Sequence, residues 1–256
     1  MTRILAVTNQ KGGVGKTTTA VSLAAALAEK GDKVLLIDMD PQANATVALG
    51  VDKRSVDSGV MEVMLGDADP EAACVYCEEA AVWLLPANDS LTASDDHLMG
   101  ESQRHALLRL TAGSWVERFD WVFVDCPPTL NLLTVNALVL ADYVLVPIQC
   151  EYFALEGVSG LLDTVGKIRQ TVNPGLRIAG FVRTMYDPRS RLTREVSENL
   201  FAHLKGLVFE TVVPRNVRLA EAPSYGQTII QYDGRSKGAQ SYRDIAAELL
   251  ERIGSA

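Results

Sequence analysis

The stretch Lys11-Gly12-Gly13-Val14-Gly15-Lys16-Thr17-Thr18 lies between an apolar run at residues 4–7 and a helix-like run at residues 19–30. Strand, glycine loop and helix start, in that order, describe a pocket for a nucleotide polyphosphate. The glycines let the backbone turn its N–H groups inward with no side chain in the way, and a helix beginning near Lys16 adds the positive end of its dipole. Lys16 is then placed to reach the terminal phosphates and the Thr17 hydroxyl to hold Mg²⁺, with Gly12, Gly13, Val14, Gly15 and Thr18 forming the cradle. The general phosphate-loop pattern has a glycine five residues before Gly15. Here that position is Gln10, and a second lysine, Lys11, follows it. A glycine turn that merely precedes a helix is the bland alternative, and eight fitting residues in the right context argue against it.

Outward from this loop, apolar runs at residues 4–7, 34–37, 82–85, 121–124, 143–148, 178–182 and 208–213 read as buried strands with helical stretches between most of them. The expectation is an α/β fold, a doubly wound and mostly parallel sheet flanked by helices, in one domain spanning residues 1–256. Residues 52–112, rich in Asp, Ser and short amphipathic pieces, fit least cleanly and are expected to form peripheral helices. A last helix at residues 239–253 places Tyr242, Ile245, Ala246, Leu249, Leu250 and Ile253 on one stripe. Few positive charges flank that stripe, so it is expected to pack on the sheet and not to lie on a membrane.

Two further strand ends carry carboxylates at the sheet edge where open α/β folds place ligands. The run at residues 34–37 continues into Asp38-Met39-Asp40-Pro41-Gln42, and the run at 121–124 into Asp125-Cys126-Pro127-Pro128. Pro41 stops the first strand beside the phosphate loop. Four mostly apolar residues ending in an aspartate form the Walker B arrangement, whose carboxylate reaches Mg²⁺ through water. The paired prolines keep the following loop out of helix and sheet, which suits a segment that moves with the γ-phosphate.

Composition agrees with a soluble enzyme-sized domain: 256 residues, 48% hydrophobic, enough for one large core. No apolar run approaches the roughly 20 residues of a membrane span, and the N-terminus enters the first strand with no signal peptide, so a cytoplasmic location is expected. Cys74, Cys77, Cys126 and Cys150 are too scattered for a disulfide framework, and no second pair completes a zinc set around the Cys74-x-x-Cys77 spacing. The net charge of -8 hides an asymmetry: residues 1–165 hold 10 Lys+Arg against 23 Asp+Glu, whereas residues 166–256 hold 14 against 9. A basic C-terminal third hints at a polyanion-facing surface, although a solvated charged face is the commoner explanation for any one cluster.

With its extra lysine, Lys-Gly-Gly-x-Gly-Lys-Thr-Thr resembles the deviant Walker A family, which holds the partition ATPases, the cell-division site-selection ATPases and the nitrogenase iron protein. The resemblance implies that Lys11 is a signature lysine crossing a dimer interface to the phosphates of the nucleotide on the other subunit. It also implies that the segment around Asp38 and Asp40 is switch I, with Asp40 positioning the attacking water and Asp38 supporting the Mg²⁺ shell, and that Asp125 opens switch II. The stretch Val213-Pro214-Arg215-Asn216-Val217-Arg218-Leu219-Ala220-Glu221-Ala222-Pro223-Ser224-Tyr225-Gly226-Gln227-Thr228-Ile229-Ile230 narrows the resemblance, which covers essentially the whole chain, to the ParA/Soj group of partition ATPases. By that resemblance Pro214 and Asn216 lie beside the adenine, and Arg218 and Arg189 contact DNA. Arg215, Arg235 and Lys237 are weaker candidates for the same basic surface. Arginine suits the task because its fork of donors grips phosphate oxygens and keeps its charge.

The resemblance therefore implies an ATPase using ATP and Mg²⁺, a homodimer when ATP-bound, and nonspecific binding of double-stranded DNA with nucleoid association. It also implies stimulation of hydrolysis by a ParB/Spo0J-like centromere-binding protein, driving chromosome or plasmid segregation. The chain leaves no room for an extra DNA-reading domain before the phosphate loop, so DNA is expected to meet the body of the dimer. Three rivals share parts of the pattern. The same cycle could position a protein cargo. A membrane-cycling cell-division ATPase needs a basic amphipathic tail, which Glu248, Glu251 and the Gly254-Ser255-Ala256 ending do not supply. An iron–sulfur reductase needs cluster-bridging cysteines, for which Cys126 is the one candidate in switch II.

Overall fold

Each apolar run read from the sequence becomes a strand: β1 (Arg3–Val7), β2 (Val34–Asp38), β4 (Val82–Leu85), β5 (Trp121–Asp125), β6 (Tyr143–Gln149), β7 (Arg177–Tyr186) and β8 (Val208–Pro214). An additional short strand, β3 (Val75–Cys77), completes a sheet ordered β3-β4-β2-β5-β1-β6-β7-β8. The computed structural model describes residues 1–152 and 154–254, apart from the side chains of residues 95, 96, 155 and 156, so Ser255 and Ala256 of the C-terminal ending lie outside the described residues. Among the described residues every strand pairing is parallel except that of β3 with β4.

The strands read as unbroken apolar runs because both faces of the sheet are covered. Successive residues serve opposite layers: Ile4 and Ala6 of β1, Leu35 and Ile37 of β2, and Val122 and Val124 of β5 face one core. Leu5 and Val7, Val34 and Leu36, and Trp121 and Phe123 face the other. The second layer is closed by the phosphate-loop helix Lys16–Ala28 and the last helix Lys237–Gly254, whose Tyr242, Ile245, Ala246, Leu249 and Ile253 are buried in it, with Leu250 packed at its margin. The stripe is thus consumed by the sheet. Among the described residues no helix is long and apolar enough to cross a membrane.

Two expectations are refined. The first helix ends at Ala28 and not at residue 30, because the amides of Glu29, Lys30 and Gly31 fold back onto Ala25, Leu27 and Ala28 and Gly31 takes a φ of 95°. Residues 52–112 do supply short peripheral helices, Val60–Leu65, Pro70–Ala73, Ser94–Met99 and Leu107–Val116, but also β3. That strand ends the hydrophobic run at residues 72–77, is only three residues long and leaves Val75 and Tyr76 exposed. It is fixed by antiparallel pairing to β4 and by Tyr76 against Trp83 at a ring separation of 4.9 Å.

Candidate active site

The sheet order places β2, β5 and β1 side by side, and their register aligns Val7, Asp125 and Asp38 in one row. The phosphate loop, switch I and switch II candidates therefore leave the sheet from three adjacent strand ends. Gly13 and Gly15 have φ values of 73° and 87°, a region costly for residues with a Cβ, and Gly15 hands the chain to the helix with the Thr19 amide bonded to its carbonyl at 2.9 Å. Lys16 is buried, and its Nζ donates to the Lys11 carbonyl at 3.2 Å. Desolvation lowers its pKa, opposed by the nearby charges of Asp125 and Asp40.

Asp125 is fully buried at the centre of this group. Its Oδ2 accepts from the Thr17 hydroxyl at 2.7 Å, while Oδ1 has no hydrogen-bond partner. Burial and the neighbouring Asp38 push its pKa well above the ordinary carboxylate range. A buried carboxylate oxygen without a donor is costly unless a cation satisfies it, and with a hydroxyl ligand beside it the donor set suits Mg²⁺, which takes oxygen ligands and few protein groups. Asp38 has both oxygens engaged: Oδ2 accepts from the Thr46 amide and hydroxyl, each at 2.8 Å, and Oδ1 from the Asp40 amide at 3.1 Å. Its pKa is pushed up to about 6, chiefly by burial. Asp38 thus holds Thr46 at the start of the helix Asn44–Ala48 and stands beside Asp125. Asp40 lies buried near Lys16, its Oδ1 accepting from the Gln42 amide at 3.0 Å.

Lys11 differs from Lys16 in direction. Its side chain is about two-fifths exposed, and its ammonium pairs with Glu151 at the loop after β6. Beside the phosphate loop, Gly15, Thr18, Thr184, Met185, Val213, Pro214, Asn216 and Tyr242 are among the residues lining a largely apolar cavity of about 420 Å³. The two base-contact candidates, Pro214 and Asn216, therefore share one cavity with the loop. Cys126 is buried, its thiol donating to the Val124 carbonyl at 3.7 Å.

Arg189 lies in the turn after β7 and Arg218 in the short helix Val217–Glu221 after β8, and the two segments start together, since Tyr186 and Pro214 are register partners at the ends of β7 and β8. Both are exposed. Arg189 is paired with Asp187 at 3.0 Å, and Arg218 with Glu221 at 2.9 Å.

Several residues that sequence reasoning passed over shape the site. Asn9 ties the phosphate loop to β6: its Nδ2 donates to the Pro147 carbonyl at 2.8 Å and its Oδ1 accepts the Lys11 amide at 3.0 Å. Thr184 ties the same loop to β7 by donating to the Val14 carbonyl at 2.7 Å. Met185 lines the same cavity as Pro214 and Asn216 with a φ of 50°, a strained conformation for a side-chain-bearing residue. Asn9 lies just past the end of β1, whereas Thr184 and Met185 lie within β7, where nothing in the local sequence marks either as a site residue.

Comparison with known proteins agrees with this geometry. A family model described as an AAA domain matches residues 2–178. The chromosome-partitioning ATPase Soj of Thermus thermophilus is 47% identical over 251 residues, 98% of this chain and 96% of that protein. The chromosome partitioning protein ParA of Myxococcus xanthus is 43% identical over 98% of this chain and 88% of its own length. Among solved structures, a cobyrinic acid a,c-diamide synthase from Mycobacterium smegmatis with bound ADP and magnesium superposes with a TM-score of 0.87 at 40% identity, covering 100% of this chain and 96% of its own.

Proposed function

The chain belongs to the ParA/Soj family of chromosome-partitioning ATPases, and from that premise we propose that ATP gates its dimerisation and, through the dimer, its hold on DNA. The observation that carries the nucleotide chemistry is the convergence of Lys16, Thr17 and Asp125 on one buried point, with Asp125 Oδ1 lacking a donor. Thr17 and Asp125 would hold Mg²⁺ there, with Asp38 behind them, and the ion supplies charge neutralisation to the β- and γ-phosphates. Backbone amides of residues 12–18 cradle the phosphates, and Lys16 neutralises the terminal ones. Asp40 orients water toward the γ-phosphate, and the cavity at Pro214 and Asn216 takes the adenine.

Lys11 completes the reading. Its ammonium lies at the exposed rim and faces Glu151, whereas Lys16 points into its own loop. A rim lysine is placed to reach phosphates on a second copy, which makes ATP a charge bridge favouring the dimer and ADP a weaker one. Dimerisation doubles the arginine-bearing surface. Each added phosphate contact steepens the log–log salt dependence by about 0.9 and strengthens binding. By the same family reading, a centromere-binding partner stimulates hydrolysis and releases the dimer from the nucleoid, and one domain spanning residues 1–256 carries the whole cycle.

Cosedimentation with a nonspecific duplex in the presence of ATP and Mg²⁺, of ADP, or of no nucleotide tests this. Retention with ATP alone is expected. Equal retention in all three conditions would contradict ATP gating, and no retention in any would contradict DNA binding.

A further inference from the structure

Both arginines assigned to DNA are engaged by carboxylates of their own chain. Arg189 donates from Nε and Nη2 to the two oxygens of Asp187, each at 3.0 Å. Arg218 donates from Nη1 to Glu221 Oε2 at 2.9 Å, and its Nε lies 3.6 Å from Asp233 Oδ2. The second arrangement is the more elaborate. Glu221 Oε2 also accepts from the Tyr232 hydroxyl at 3.1 Å, and Tyr232 stacks on Tyr225 with centroids 5.1 Å apart and planes 25° from parallel. The arginine itself is set by Asn216, whose Oδ1 accepts the Arg218 amide at 2.9 Å at the start of helix Val217–Glu221. Glu221 of that helix and Asp233, just past the helix Ile229–Tyr232, thus meet at one guanidinium, and the turn Ala222–Tyr225 backs Tyr232 through Tyr225.

A carboxylate and a phosphate offer a guanidinium the same kind of acceptor oxygens. A donor pointing at Glu221 is not available to DNA until it is released, and the released carboxylate then faces an incoming phosphate of like charge. We propose that Glu221, oriented by Tyr232 and seconded by Asp233, is an internal competitor of DNA phosphate for Arg218 and sets the affinity of the DNA surface. The inference rests on the DNA-binding reading above and adds the reason a single subunit holds DNA poorly. An exposed ion pair is weak, so it does not lock the arginine. It subtracts from each contact a modest amount that a lone subunit cannot make up, and that a dimer with twice the contacts can. Asp187 is the lesser case, because it pairs with a residue two positions away in its own turn and also accepts that residue's amide at 3.0 Å.

A double-mutant cycle tests the proposal. Affinity for a nonspecific duplex is measured with a nonhydrolysable ATP analogue and Mg²⁺ for the unaltered protein, Glu221→Gln, Arg218→Ala and the double variant. Glu221→Gln is expected to tighten binding on the order of tenfold, from two freed arginines per dimer. In the Arg218→Ala background the same change should alter affinity by less than about twofold. Tyr232→Phe, which unhooks Glu221 without changing net charge, should tighten binding in the same direction by a smaller factor. Equal tightening in both backgrounds would reduce the effect to bulk charge and overturn the proposal, as would no tightening by Glu221→Gln. If the four proteins bind the analogue and none retains DNA, it is the DNA-binding reading that fails.

Discussion

Lys16 and Asp125 share a buried point without forming a direct ion pair there, and the two perturbations are complementary: desolvation lowers the lysine and raises the carboxylate. Both are poised for a polyphosphate and a cation, and both cost stability until these arrive. Lys16→Gln is accordingly expected to weaken ATP binding by about 100-fold or more, as titration of a fluorescent ATP analogue would read; unchanged affinity would contradict the assignment. Asp125→Asn should have the opposite effect on the nucleotide-free fold. A carboxylate whose folded pKa is raised is stabilising when protonated, and that contribution is lost as pH rises from the unfolded value through the folded one; for Asp38 the window runs from 3.8 to about 6. An asparagine at position 125 escapes this loss while keeping a partner for Thr17. The variant is expected to melt higher than the unaltered protein, by about 2–4 °C for each kcal/mol recovered, with the margin widening as pH rises above 3.8, the ordinary value for an aspartate. A lower melting temperature, or a margin that shrinks with pH, would contradict the buried-charge account.

The phosphate loop holds its shape as an element because two strands grip it from outside, Asn9 through the carbonyl of Pro147 and Thr184 through that of Val14. Thr184→Val removes the second grip at nearly constant volume and leaves a buried carbonyl without a donor, at a cost of about 1–3 kcal/mol. ATP affinity should fall on the order of tenfold while the far-ultraviolet circular dichroism stays the same, and undiminished affinity would show that the loop needs no such tether. Strands and loop were legible in the sequence for different reasons. β1, β2 and β5 are buried on both faces and so read as continuous apolar runs, and Gly13 and Gly15 read as loop because only glycine sits easily at those dihedrals. Thr184 was not legible as a site residue: its partner lies 170 positions away, and nothing local marks a threonine that bonds across a sheet edge. β3 was hidden by its three-residue length and exposed face, and the carboxylates that hold Arg189 and Arg218 look in the sequence like ordinary surface charge.

For the whole molecule the governing fact is a segregation of charge, with a strongly acidic first two-thirds and a basic final third carrying Arg189 and Arg218. On the proposed DNA-binding reading, a chain with net charge -8 would approach DNA against its own mean field, so a second copy that doubles the basic surface would matter more than for a uniformly basic protein. Asp40→Ala should separate assembly from turnover: the variant is expected to form the ATP-dependent dimer and retain DNA while hydrolysing ATP at least about 100-fold more slowly. A variant that stays monomeric with ATP would remove Asp40 from its water-orienting role. The claim on which the rest depends is that the triphosphate joins two chains, and light scattering coupled to size exclusion reads it directly. With a nonhydrolysable ATP analogue and Mg²⁺ the protein should show twice its 27.7 kDa chain mass, and the single mass with ADP or with no nucleotide. A single mass in all three conditions, or the doubled mass without nucleotide, would contradict the account.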